Sequence, residues 1–523
     1  MKPENMQDAL SHISDKHITE AASYKKRSYA PYFRAIAACL AVVLAAGGLW
    51  LALSGREAAP NVTMEGPPAT QPPTEPPTEF PVDPELKEIG FVPETVLPER
   101  LLAAPEYPRL AEFPTDMTDY DAWAELHSNW SSARRQLHSA PIGFADSINS
   151  FWSQSIPEYL SDNAGTNAVY SPVSLYMALS ILAQCTEGSS RQEILDLLGA
   201  KSMEELAEQA SLVFENLYEN DGTHTSILAN SLWLDDAYEF KQDAVRDISD
   251  IFYASVYQGA LETPEMNIAL KDWLNAQTGG LLEDSIAQLD AMDLQTALVI
   301  ASTINYRCKW ANSFNPDRNT QGDFDTPAGK QTVTYMNGSA QYSPYFWGDD
   351  FSATYLTLDD GNRMWLILPD EGHTPEELLN SGNAIDMVVN YAVYGESSKL
   401  PIYPDQKSVT VNLTVPKFDI SADLDLMTGL NKLGITRVMT PDQANFGGIT
   451  PYDQQLYLGS ANQGVRVAID ESGLIGVAYT ILGVPGAGSP PPEEVDLVLD
   501  RPFLFVVESA CGVPMFTGIV NNP

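Results

Sequence analysis

The chain has 523 residues, 44% of them apolar, and 29 Lys plus Arg against 70 Asp plus Glu, a formal net charge of −41. The apolar share is enough to bury a large core, which excludes wholesale disorder. The charge repels phosphate backbones and excludes nucleic-acid binding by the bulk of the chain.

Residues 1–34 carry Met6, Leu10, Ile13, Ile18 and Ala21 at roughly helical spacing, read as a solvated or membrane-lying helix of a cytoplasmic tail. This stretch faintly resembles the cytoplasmic starts of Gram-positive membrane regulators, and a membrane-anchored bacterial protein is expected. Residues 35–53 (AIAACLAVVLAAGGLWLAL) hold no charge. As a helix at about 1.5 Å per residue they reach roughly 28 Å, close to the hydrocarbon thickness of a bilayer. A buried core helix would show a polar stripe. A cleaved signal peptide would have a shorter leader and a small-residue cleavage site. Ile36 to Cys39 looks like a lipoprotein box but opens the apolar run instead of closing it. A signal anchor fits best. Lys25, Lys26, Arg27 and Arg34 precede it and Arg56 alone follows closely. The positive-inside bias therefore predicts a single pass through the cell membrane, with everything after Ser54 extracellular.

Residues 54–140 form a linker and extension. Pro60 to Pro84 is dense in proline and includes PPTEPPTE. Extended polyproline II at about 3.1 Å per residue would span up to roughly 75–80 Å, which suits a spacer better than a signalling ligand. Glu85 to His138 holds Phe91, Tyr107, Tyr120, Trp123 and Trp130, compatible with packing on the next domain or with staying loose. From 141 to 523 the pattern is globular. Helical periodicity spans 143–160, 172–182 and 203–217, and dominates to about Ala297. Strand-like runs follow at 298–306, 364–368, 409–415, 465–469, 503–508 and 515–520. Helices first and strands later predict an α+β fold with a mixed or antiparallel sheet.

Enzyme chemistry finds little support. His224 and His373 are the histidines within this domain, and no H-E-x-x-H, C-x-x-C, G-x-S-x-G or P-loop pattern occurs. GVPGAG at 483–488 lacks the lysine and following helix of a phosphate loop. Cys39, Cys185, Cys308 and Cys511 are too scattered for a disulfide framework or a zinc ribbon. No enzyme activity, metal or cofactor is expected.

A set of segments over 142–523 resembles the serpin family, the serine protease inhibitors, in order and spacing. NAVYSPVS at 167–174 resembles its N-x-x-x-S-P-x-S signature, and Trp273-Leu274 with Thr278-Gly279-Gly280 resembles W-V…T-x-G. Lys309-Trp310 with Phe314 and Phe324 resembles k-W…F…F. VPKF at 415–418, LGIT at 433–436 and ANFGGI at 444–449 resemble P-K-F…L-G-I…A-d-f-s-g-i. RPFLF at 501–505, FTG at 516–518 and the final Asn522-Pro523 resemble the family's C-terminus. The resemblance implies three β-sheets, about nine helices, an exposed reactive loop and a monomer.

On the residues alone, Asp470 to Glu494 stands out. A strand-like run is followed by Glu471, Ser472, Gly473, Leu474, Ile475, Gly476, Val477, Ala478, Tyr479 and Thr480, and no charge occurs from Leu474 to Pro492. A long uncharged loop in so acidic a chain suggests a segment exposed at one time and buried at another. The resemblance makes it the reactive loop, with 471–480 as its hinge, inserting as a strand after cleavage. Leu474, Gly476, Ala478 and Thr480 form one face at period two. The scissile bond is expected at Ala487-Gly488, and the target is an elastase- or subtilisin-like serine protease. The family's shutter maps to Asn167, Ser171, Ser174, Ser302 and Gln463. Ser302 stands where an asparagine is usual and Gln463 where a histidine is usual, and both can still hydrogen-bond Ser171 and Ser174. The alternative function is a serpin fold without inhibition, a surface binding module.

Overall fold

The computed structural model describes residues 96–523 except 395–404, 475–492 and short breaks at 109, 111, 115–117, 139, 142, 163–164, 281, 283–285, 288, 290, 293–295 and 453–455. The expected tail (1–34), anchor (35–53) and proline-rich linker lie outside the described residues. Among the described residues no helix is long and apolar enough to cross a membrane.

In chain order the elements are β1 (Leu101–Ala103), α1 (Tyr120–Leu137), α2 (Asp146–Leu160), β2 (Ala168–Tyr170), α3 (Pro172–Cys185), α4 (Gly188–Leu198), α5 (Met203–Leu217), β3 (Glu219–Asn220), β4 (Thr225–Asp235), α6 (Gln242–Phe252), β5 (Ala254–Gly259) and α7 (Pro264–Thr278). Then come β6 (Leu298–Lys309), β7 (Thr320–Thr326), β8 (Gly329–Trp347), β9 (Phe351–Thr357), β10 (Arg363–Pro369), α8 (Pro375–Ser381), α9 (Asn383–Tyr394), β11 (Gln406–Pro416), β12 (Phe418–Asp425) and α10 (Met427–Lys432). The C-terminal part is all strand: β13 (Asn462–Ile469), β14 (Gly473–Leu474), β15 (Glu494–Val498), β16 (Phe503–Glu508) and β17 (Pro514–Val520).

The strands form two sheets among the described residues. The first runs β1-β5-β4-β6-β14-β13-β12, with β3 on β4. The second runs β15-β11-β8-β9-β10-β16-β17-β2, with β7 on β8. The three sheets expected from the resemblance are thus two, because β8 runs unbroken for 19 residues and serves both halves of the second sheet. It pairs with β7 and β11 along most of its length and with β9 at its end. The halves bend at a bulge opposite Val409 and Val411, beside Tyr342 at φ 58°. An extra residue in one strand of a ladder produces such a bend. Ten helices are described, one of them, α1, ahead of the expected domain start at 141.

Local chemistry explains the helix that matters most. Ser171 caps α3, its hydroxyl accepting from the Ser174 amide at 3.4 Å, and Pro172 occupies the first turn. Twelve of the 14 residues of α3 are buried, because it runs through the core beneath the first sheet.

Residues 96–140 pack on the domain. β1 extends the first sheet by pairing with β5. Asp119 caps α1, and Trp130 of α1 donates to Asp221 at 3.0 Å. Phe113, Trp123, His127, Trp130 and His224 form one aromatic cluster.

Candidate functional site: the loop hinge and the seam it faces

β13 ends at Ile469, and the chain turns sharply on Asp470. The Asp470 carboxylate accepts from the amides of Ser472 (2.7 Å) and Gly473 (3.2 Å), and its own amide donates to the Gly473 carbonyl at 3.1 Å. This Asx turn sends Gly473 and Leu474 back as β14, antiparallel to both β13 and β6. Leu474 faces Ile469 on one side and Cys308 on the other, and is buried. A Cβ on Gly473 would lie 2.2 Å from the Cys308 carbonyl oxygen and 2.6 Å from Lys309 Cα, so only glycine fits.

Trp310 fastens the turn. Its amide donates to the Ser472 carbonyl (2.9 Å) and its indole to the Asp470 carbonyl (2.8 Å), while the Phe314 amide donates to the Glu471 carbonyl. Glu471 pairs with Lys417 at 2.6 Å and accepts from Asn319. Burial works against its charge, but these two donors hold its carboxyl below the usual range.

Farther along the same seam lies a narrow slot with room for about one water, about 20 Å³, between residues 302–304 of β6 and 463–466 of β13. Ser171, Ser174, Ser302 and Gln463 all line it. The Ser171 amide donates to Gln463 Oε1, and Gln463 Nε2 donates to the Ser171 carbonyl, both at 2.9 Å. Ser171 Oγ donates to the Met515 carbonyl at 2.8 Å and lies 3.0 Å from Ser174 Oγ. Gln463 therefore grips the start of α3 through the backbone of Ser171. Ser302 Oγ is buried with no hydrogen-bond partner among the described residues. Asn167 sits elsewhere: its side chain accepts from the amides of Asn521 and Asn522 and donates to the Asn522 carbonyl. It clamps the C-terminus instead of joining the slot, because β2 delivers it beside the end of β17. Ile475 to Thr480, Ala487 and Gly488 lie outside the described residues.

Sequence spacing gave no hint of a buried ionisable cluster behind the end of β6. His224 Nδ1 lies 2.9 Å from Asp221 Oδ2 and its Nε2 3.3 Å from Asp359 Oδ1; Cys308 Sγ donates to the same Asp359 oxygen at 3.0 Å. Burial works against charge on His224, but the two carboxylates prevail and push it up to about 10. Beside it, Arg134 of α1 donates to Glu219 and to the Asp360 carbonyl, each at 2.5 Å. Burial outweighs the Arg134 charge at Glu219 and pushes its carboxyl up to about 7. Burial and Arg134 together push His138 down to about 4.

The site is thus a sheet seam with a two-residue strand, β14, at its head and a slot farther along, between β6 and β13. Residues 146–523 match the family described as Serpin (serine protease inhibitor). The chain belongs to the serpin family. It is 25% identical over 374 residues to Serpin-Z2B of Triticum aestivum, covering 68% of this chain and 90% of the relative. It is 26% identical over 370 residues to plasminogen activator inhibitor 1 of Sus scrofa, covering 68% and 87%. Among solved structures, the native thermophilic serpin tengpin superposes with a TM-score of 0.63 at 20% identity, over 73% of this chain and 95% of that one. Native, stressed Arabidopsis AtSerpin1 gives 0.63 at 23% identity, over 73% and 100%. Serpins are generally inhibitors of serine proteases and not catalysts, though some do not inhibit.

Proposed function

We propose that the chain is a membrane-tethered extracellular inhibitor of serine proteases whose loop is cut and then inserts between β6 and β13. The placement of Gly473 and Leu474, bonded to both strands, carries this reading. Continuing that register along β6 sets Gly476 opposite Tyr306, Ala478 opposite Ile304 and Thr480 opposite Ser302. Along β13 the same register sets Thr480 opposite Gln463. The inserted strand would thus pass through the slot and reach the residues that hold α3. Its core-facing side chains are small or apolar, so insertion desolvates no charge.

Ala487-Gly488 is the proposed scissile bond. Small residues flank it, and bonds beside Pro490 to Pro492 suit a protease cleft poorly because proline lacks an amide hydrogen and fixes φ. An elastase- or subtilisin-like target follows. The apolar run at 35–53, with its basic N-terminal flank, supplies the tether, and shaving intact cells with protease should release the serpin domain.

Incubation with elastase tests the mechanism. An SDS-stable complex and a small fragment starting at or beside Gly488 are expected, and Leu474→Arg should be cleaved without complex. Cleavage of the unmodified protein with no covalent complex would leave the non-inhibitory binding module as the better reading.

A further inference from the structure

We propose that His224, Cys308 and Asp359 form a binding site for one divalent ion of the zinc class. The three residues come from three segments: the approach to β4, the end of β6 and the turn between β9 and β10. Their donor atoms lie within 4.8 Å of one another. Tetrahedral zinc, with bonds of about 2.0 Å to nitrogen and oxygen and about 2.3 Å to sulfur, sets its donors about 3.3–3.6 Å apart. Nε2 of His224 and Sγ of Cys308 stand 3.3 and 3.0 Å from one oxygen of Asp359, close to that spacing, and all three donors fall within 4.8 Å of one another. One imidazole, one thiolate and one carboxylate suit zinc better than magnesium or calcium.

A further observation points the same way. The other ring nitrogen of His224 faces the Asp221 carboxylate at 2.9 Å, the arrangement that fixes the tautomer and orientation of a ligating histidine. Asp221 is itself held by Trp130 and by the amides of Thr223 and His224, so the orienting group is rigid. Asp359 is the exposed member of the three. The neighbouring trio Glu219, Asp221 and His224 is the poorer candidate, because Arg134 occupies Glu219 and its cation would repel a second one.

Cys308 is the register partner of Leu474, so a bound ion would fasten β6 where β14 meets it. The site stands on its own geometry and does not depend on the inhibitory reading. The full-length chain, stripped with a chelator and titrated with Co²⁺ and then Zn²⁺, tests it. One equivalent should bind, with a thiolate-to-cobalt charge-transfer band and a melting temperature that rises with Zn²⁺. The band should vanish in Cys308→Ser, and affinity should fall at least tenfold in Asp359→Asn, a surface change compatible with folding. No thiolate band in the unmodified protein, or zinc affinity in both variants equal to that of the unmodified protein, would overturn the assignment.

Discussion

Gly473→Ala probes the head of the seam. The added methyl would stand 2.2 Å from the Cys308 carbonyl oxygen and 2.6 Å from Lys309 Cα, both backbone atoms in a paired strand. Neither can swing aside, so β14 must retreat by about 1 Å to restore van der Waals contact, too far to keep its ladder on both sides. Overpacking of this kind costs about 1–3 kcal/mol. The retreat also loosens the hydrogen bonds between Asp470 and Gly473, at 3.1 and 3.2 Å, each worth about 1 kcal/mol net. A total of about 2–4 kcal/mol follows. With an unfolding entropy of about 2.1 cal/mol/K per residue over a domain of some 400 residues, the melting temperature should fall by about 2–5 °C. Hydrogen exchange should locate the damage: the Leu474 amide should lose protection while those of β16 keep theirs. Equal melting temperatures and an equally protected Leu474 would refute the claim that β14 is wedged between two backbones.

Gln463→Ala should leave the Ser171 amide buried without a partner and its carbonyl with only the Leu175 amide, costing about 1–3 kcal/mol, and calorimetry would detect it. Gln463→Glu should retain only the bond from the Ser171 amide and fall between the two. Arg134→Ala should destabilise by about 3–5 kcal/mol at pH 8, because it leaves Glu219 buried and uncompensated. The defect should shrink toward pH 5. Glu219, whose folded value is already raised to about 7, contributes most favourably below its unfolded value and loses that as pH rises, more so without Arg134. His138, held down to about 4 partly by Arg134, is relieved by the substitution and shifts the balance the same way. Chemical denaturation at both pH values checks this, and an equal loss at each would contradict it.

The residues that build local structure spoke for themselves in the sequence. Ser171-Pro172 announces the start of α3 because a cap and a first-turn proline act on their own helix, and α5 and β16 fall where their patterns place them. β4 escaped notice within the supposed helical half. All 11 of its residues are buried, so both faces are covered and the alternation that betrays a strand is missing. The uncharged stretch from Leu474 was readable in an acidic chain, but not the turn on Asp470 or the fit of Gly473 against Cys308, which depend on two strands meeting. Asn167 shows the opposite case: its motif placed it in order, yet only the fold reveals that it holds Asn521 and Asn522. His224, Cys308 and Asp359 share no sequence spacing, and a site assembled by topology leaves none to read.

The way the last three strands are shared has a consequence for any molecule nicked between 475 and 492. The piece that follows contributes β15, parallel to β11, β16, beside β10, and β17, against β2. Two of these strands are interior members of the second sheet, so the severed piece stays in place and the product is a two-chain complex sharing one core. Such a complex comes apart in a unimolecular step but can be rebuilt only by an encounter between two partners, which dilution suppresses. The nick leaves both pieces held in one particle, yet makes its next unfolding a one-way passage.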